Sequence, residues 1–168
     1  MTQRLKDFPY YENYVDLTRM ELSAINAVQS KAPQSIAFIG SGPLPLSSLC
    51  LSQALGCNAS ASFTEIVNID NNASAIAQST ALFRCLGYNE NSMKFVCKDA
   101  NSPELDLKRF DVVYLAALVG ETQEEKVRVL VEVVGKMSAG RLLVIRTAHN
   151  LRKLLYPVCL LPTKARSD

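Results

Sequence analysis

At 168 residues the chain has the length of one domain, and its 48% hydrophobic content is that of a folded globular protein, not a disordered one. A net charge of +2, with no cluster of five or more basic residues, gives no reason to expect nucleic acid or an anionic membrane as a partner. The longest unbroken apolar stretch, Val112–Val119, is far too short to span a bilayer, and the first fourteen residues lack the apolar core of a secretory signal.

Residues 8–14, Phe-Pro-Tyr-Tyr-Glu-Asn-Tyr, place three tyrosines within five positions. That density hints at a role, although a packed lid over the core is the commoner explanation. Thr18-Arg-Met-Glu21 matches a capping box and predicts a helix over about 17–29. On it Leu17, Ala24, Ile25 and Val28 share one face, with Glu21 in the middle. Glu21 has two readings: half of a solvated cap, or a carboxylate among apolar neighbours, where burial favours the protonated form.

Lys31-Ala-Pro33 ends that helix, and a strand is expected over 35–39. Gly40-Ser41-Gly42-Pro43 follows, then a helix-compatible segment at 46–55. The glycines either bring the backbone close to a ligand or make a tight turn. A second strand, 63–69, ends at Asp70, and Asn71 or Asn72 can cap a helix over 73–86. Strands follow at 94–97 and 110–115. Thr122-Gln-Glu-Glu125 is a second capping box, opening a helix whose stripe is Val127, Leu130, Val131 and Val134. A fifth strand, 141–145, leads into Arg146-Thr-Ala-His149-Asn-Leu-Arg152. Five cysteines, odd in number and without a C-x-x-C pair, fit free thiols in a reducing, cytoplasmic setting. A single histidine speaks against a histidine-rich zinc site.

Alternating strands and helices with these crossover lengths predict an α/β fold, a Rossmann-like parallel sheet of about five strands with flanking helices. The expected parts are an N-terminal segment, 1–34, a nucleotide-binding domain, 35–158, and a tail, 159–168. Ligands of such sheets lie at the carboxyl ends of the strands. Those ends carry Gly40–Pro45, Asp70, Asp99 with Ala100, the apolar Ala116–Val119, and Arg146–His149. Asp70 is placed to bind a ribose hydroxyl pair and Asp99 an adenine amine, though either acid could instead cap a helix. Together they favour an adenosine-containing cofactor. Arg146, His149 and Arg152 suit a carboxylate, unless they are the ordinary solvated charges of a surface helix start, with His149 a capping or packing residue.

Several stretches converge on one family. FPYYENYVDLTRME, IAFIGSGPLPLSSL, NIDNNASAIA, FDVVYLAALVG, EEKV and RTAHNLRKLLYP resemble nicotianamine synthase and its fungal and archaeal relatives, over about residues 5–158. The resemblance implies a methyltransferase-type sheet that uses S-adenosylmethionine as both cofactor and substrate. The 3-amino-3-carboxypropyl group, not the methyl, would be transferred, with release of 5′-methylthioadenosine and formation of nicotianamine. That product, not the protein, would bind the metal. By matching position, Gly40, Ser41, Gly42, Pro43, Asp70, Asp99, Ala100, Ala116 and Leu118 would hold the cofactor. Glu21 would deprotonate the acceptor amine with help from Tyr14, while Tyr11, Arg146 and His149 would line the acceptor side. A small-molecule methyltransferase and a non-catalytic S-adenosylmethionine binder are the alternatives. Plant members carry an added N-terminal helical domain and further strands after the LYP motif, so the chain is expected to be truncated at both ends, with its fifth strand left as a sheet edge.

Overall fold

The computed structural model describes residues 7–56, 64–88, 93–116, 119 and 122–147. Apolar runs rich in Ile and Val form five strands: β1 (Ser35–Ile39), β2 (Glu65–Asp70), β3 (Met93–Cys97), β4 (Val112–Leu115) and β5 (Leu142–Ile145). They make one parallel sheet in the order β3-β2-β1-β4-β5. The order reverses between β1 and β4, the point at which such sheets open a ligand crevice at their carboxyl edge. The three central strands, β2, β1 and β4, are almost wholly buried, as strands covered on both faces must be.

Helices α1 (Tyr11–Val28), α2 (Leu46–Ala54) and α3 (Ala73–Cys85) cover one face. Their core meets the sheet through Ile36, Phe38, Ile66, Met93, Val112 and Tyr114. Helix α4 (Gln123–Lys136) covers the other, where Ala37, Ile39, Val67, Ile69, Val113 and Leu115 point. Removing each large apolar side chain from water contributes roughly 1.5–3 kcal/mol, so these two layers set the fold.

The strands lie within a residue or two of their expected places. Two helices do not behave as predicted. Helix α1 begins at Tyr11, not near 17, with Tyr10 as a cap that makes no side-chain bond. Thr18 is 1% exposed in the helix interior, so the Thr18–Glu21 capping box does not form. The helix is instead held by packing of Tyr11, Tyr14 and Val15 on the core. The tyrosine-rich segment is thus largely its first turn. The inward face is Tyr11, Thr18, Glu21 and Ile25, whereas Ala24 and Val28 face solvent.

In α4 the Thr122 hydroxyl accepts from the Glu125 amide at 3.2 Å, as expected of the cap. The expected stripe is rotated, however. Lys126, Val129, Leu130 and Val133 are buried, while Val131 and Val134 are exposed. Strand β5 is a sheet edge among the described residues, and all four of its residues are only half-buried.

Candidate functional site

The hydrogen-bond ladder runs one step past the strand ends and levels the carboxyl edge. The Gly40 amide donates to Ile69 O at 2.8 Å, Ala116 to Ile39 O at 3.0 Å, and Arg146 to Leu115 O at 3.0 Å. Gly40, Ala116 and Arg146 therefore sit in one row across β1, β4 and β5, with Asp70 ending β2 beside it.

The glycine loop is fixed from two directions. Gly40 has φ +78°, and a Cβ there would lie 2.4 Å from Val119 Cγ2 and 3.1 Å from Ala116 Cβ. Only glycine fits, because the segment after β4 packs on it. From the other side, the Gly42 amide donates to Asp70 Oδ2 at 2.8 Å, and the Asn72 amide donates to Asp70 Oδ1 at 2.9 Å. Asp70 is therefore not the cap of α3. Asn72 fills that role, accepting from the Ser74 and Ala75 amides.

A cleft of about 650 Å³ opens beside this loop, within the range of small-molecule sites. Gly40, Gly42, Asp70, Asp99 and Ala100 line it, with Ile39, Ile69, Val119 and Val129 as its apolar wall. Asp99 Oδ1 accepts from the Asn101 amide at 2.7 Å, and Lys136 Nζ donates to Ala100 O at 2.6 Å, which pins this segment to the end of α4. Lys98, Glu125 and Arg128 bring charge to the rim.

A second polar centre lies on the opposite face of the sheet. Arg146 Nε donates to Glu21 Oε1 at 2.8 Å and Nη2 to Oε2 at 2.9 Å, and Nη1 donates to Ser47 Oγ. The guanidinium lies over Phe38 (5.1 Å to the ring centroid) and Tyr114 (5.7 Å), whose rings stack 5.2 Å apart. The Glu21 and Arg146 side chains keep only 7% and 15% of their surface in water. Burial pushes the Tyr114 phenol above its ordinary range. Glu21 adds to that shift and Arg146 opposes it.

Glu21, Arg146, Gly40, Gly42, Asp70, Asp99 and Ala100 are thus gathered at the carboxyl edge, divided between two faces. Ala116 packs under Gly40. Pro43 is exposed, and the Ser41 hydroxyl is buried without a partner among the described residues. Tyr14 lies two turns before Glu21, about 10 Å along α1. Tyr11 is placed elsewhere: its hydroxyl donates to Gln53 Oε1 at 2.9 Å, near the end of α2 remote from Ser47. Leu118 and His149 lie outside the described residues. Ser47, Phe38 and Tyr114 build the second centre and were not singled out from sequence. The in-register pairing of Phe38 with Tyr114 is the one signal that points to them, once β1 is set beside β4.

Among the described residues no helix is long and apolar enough to cross a membrane, and no group of three or more His, Cys, Asp or Glu could hold a metal ion.

Comparisons with known proteins agree with one another. The family model described as nicotianamine synthase protein matches residues 2–164. Nicotianamine synthase of Solanum lycopersicum is 38% identical over 156 residues, 93% of this chain and 48% of that protein. Nicotianamine synthase 3 of Oryza sativa subsp. japonica is 44% identical over 154 residues, 90% of this chain and 43% of that protein. The chain spans about half the length of the curated relatives it matches. Among solved structures, MtNAS in complex with MTA and tNA aligns at TM-score 0.74 and 23% identity, covering 94% of this chain and 53% of that one. The plantazolicin methyltransferase BpumL in complex with SAH aligns at 0.58 and 16%, covering 86% and 50%. At these identities the solved structures speak for the fold, a methyltransferase-like parallel sheet. On the match along almost its whole length, the chain belongs to the nicotianamine synthase family.

Proposed function

We propose that this chain transfers the 3-amino-3-carboxypropyl group of S-adenosylmethionine to an amine, with release of 5′-methylthioadenosine, as a step toward nicotianamine. The observation that carries this reading is the divided carboxyl edge. An adenosine-sized cleft lies on one face, a buried Glu21–Arg146 pair on the other, and the Gly40–Gly42 loop between them. A methyl transfer needs only a cofactor cleft and an acceptor. A transfer of an amino-acid side arm gains from a second centre that holds charge.

The residues of the cleft fit the donor. Gly42 has open space where a side chain would stand, and Asp70 and Asp99 line the cleft beside an apolar wall. In this reading Asp70 takes the ribose, and Asp99 with Ala100 takes the adenine. Ala116 and Leu118 bound the apolar slot, and the loop of Gly40, Ser41, Gly42 and Pro43 holds the amino-acid end. The acceptor nitrogen must attack as a neutral amine. Its lone pair forms the new N–C bond while the C–S bond breaks and sulfur keeps the electron pair. Glu21 takes the proton. Both of its oxygens already accept from Arg146, but a carboxylate has about four lone-pair sites, so an amine can still bind. Arg146 and His149 would receive the acceptor's carboxylates, with Tyr14 and Tyr11 along the α1 wall. Segment 1–34 supplies Glu21 and the tyrosines of the acceptor side, and 35–158 supplies the donor cleft together with Ser47, Arg146 and His149 of the acceptor side. The setting is cytoplasmic, and the link to metal homeostasis runs through the product.

Incubating the purified chain with S-adenosylmethionine tests the proposal. The expected product is 5′-methylthioadenosine. S-adenosylhomocysteine as sole product would replace this reading with a methyl transfer.

A further inference from the structure

Two hydroxyls beside the Glu21–Arg146 pair are buried without partners. Tyr114 is fully buried in β4, its ring stacked on Phe38 with the planes 10° apart and lying under the Arg146 guanidinium. Its hydroxyl bonds nothing among the described residues. Thr18 lies one turn before Glu21 on the same inward face of α1, is 1% exposed, and its Oγ1 is equally unpartnered. A buried hydroxyl without a partner costs roughly 1–3 kcal/mol. The fold could remove the first cost at little expense, because a phenylalanine in place of Tyr114 keeps the stack.

The neighbours say what would satisfy these groups. Arg146 spends three of its five N–H donors on Glu21 and Ser47, leaving one hydrogen on each terminal nitrogen. The centre thus presents an anion, a partly spent cation and two hydroxyls that can donate or accept. That set complements the paired ammonium and carboxylate of an α-amino acid. The geometry points to Tyr114 as a specificity-determining contact for the amino-acid end of the acceptor, its hydroxyl donating to the acceptor carboxylate beside Arg146, with the Thr18 hydroxyl as a second contact from α1. This rests on the proposed function only for the identity of the acceptor.

The test is Tyr114→Phe in the full chain, with nicotianamine as the probe, titrated calorimetrically in the presence of saturating 5′-methylthioadenosine. A hydrogen bond to a charged group corresponds to a loss of about tenfold or more in affinity. The expected result combines that loss with unchanged affinity for 5′-methylthioadenosine and a melting temperature equal to or above that of the wild type. Thr18→Val, of the same shape, should also weaken nicotianamine binding. Unchanged nicotianamine affinity with a lowered melting temperature overturns the proposal, since the hydroxyl is then held by structural water. The two readings also fail separately. If the wild type releases 5′-methylthioadenosine and Tyr114→Phe leaves the acceptor KM unchanged, the contact falls alone. If the wild type binds nicotianamine in a Tyr114-dependent way but releases no 5′-methylthioadenosine, the contact stands and the transfer reading falls.

Discussion

Arg146 grips the Glu21 carboxylate with two parallel hydrogen bonds, 2.8 and 2.9 Å long, across 125 positions of sequence. The pair joins the end of the edge strand β5 to the middle of α1, and Ser47 at the start of α2 completes the clamp. Three elements that cover or end the same sheet thus meet at one guanidinium. A fork of this kind fixes orientation as well as distance, which a lysine in the same place could not do.

Glu21→Gln separates the chemical role of the pair from its structural one. The amide keeps the side chain's shape and one acceptor oxygen but cannot take a proton. Release of 5′-methylthioadenosine should fall about 100-fold or more, the range for loss of a general base. Binding of S-adenosylmethionine, measured by calorimetry, should change by less than about threefold, because the cleft lies on the opposite face. Loss of both would contradict the assignment of Glu21 as base. Arg146→Met is predicted to act differently, leaving a buried carboxylate unpaired and lowering stability by about 3 kcal/mol.

Gly40→Ala should disable the donor cleft without touching a ligand atom. The added methyl meets Val119 Cγ2 at 2.4 Å and Ala116 Cβ at 3.1 Å, and φ +78° is already strained for alanine. Val119 can turn aside, but the Ala116 Cβ is fixed to its backbone and has no rotamer that moves it away. The strain alone is worth roughly 1–3 kcal/mol. The expected outcome is a lower melting temperature and at least tenfold weaker S-adenosylmethionine binding. Gly42→Ala is the comparison: φ is +66° but no atom lies within 4 Å of the new carbon. Its loss of stability should be the smaller of the two.

Asp70→Asn tests whether the glycine loop depends on the carboxylate before any ribose arrives. Both oxygens accept from backbone amides, Gly42 and Asn72. An asparagine offers one acceptor and turns an NH₂ group toward the second N–H. Either the loop or the start of α3 must give way. Hydrogen bonds to a charged group contribute about 1.5–3 kcal/mol each, so a clear fall in melting temperature is expected together with weaker donor binding. Asn72→Ala serves as control. It removes the cap bonds to Ser74 and Ala75 and should cost about 1 kcal/mol, while donor affinity stays within about twofold.

The strands, the Asn72 and Thr122 caps and the placing of Gly40, Asp70, Asp99, Ala116 and Arg146 at the carboxyl edge were legible because each rests on local pattern. The places where the reading failed have physical causes. Thr18-x-x-Glu21 has the spacing of a capping box, but the same spacing puts two residues on one helix face, and packing of Tyr11 and Tyr14 settled which applies. In α4, Val127, Val129, Val131, Val133 and Val134 spread around the helix, so apolar periodicity could not define a stripe. The buried Lys126, which a polar–apolar pattern assigns to solvent, misled it further. The Glu21–Arg146 pair depends on sheet order and on the docking of α1, and no local window contains both residues.

The pH dependence of stability should be a plateau bounded by two different sets of groups. On the alkaline side, burial pushes the Cys50 thiol from 9.0 up to about 11, against the pull of Arg146, and burial also raises Tyr114 and Tyr11. In each case the folded state holds its proton more tightly than the unfolded chain. Their contribution is fully present below the unfolded values and is lost as pH rises through the folded ones, so stability should decline from about pH 9 upward. On the acid side Glu65 behaves in the opposite sense. Burial alone would raise its carboxyl, but hydrogen bonds from Arg109 and Lys94 outweigh that and hold it below the ordinary 4.5. Its contribution is present above 4.5 and is lost as pH falls through the lowered value. Melting temperatures measured from pH 3 to 11 should show both limbs. Cys50→Val should make the alkaline limb shallower, leaving the part that belongs to Tyr114 and Tyr11, with the acid limb unchanged, and Glu65→Gln should weaken the acid limb alone. At pH 8 a thiol reagent should modify the exposed Cys85 and Cys97 while the buried Cys50 stays protonated and unreactive. Rapid modification of Cys50 in the folded chain would remove the Cys50 share of the alkaline limb.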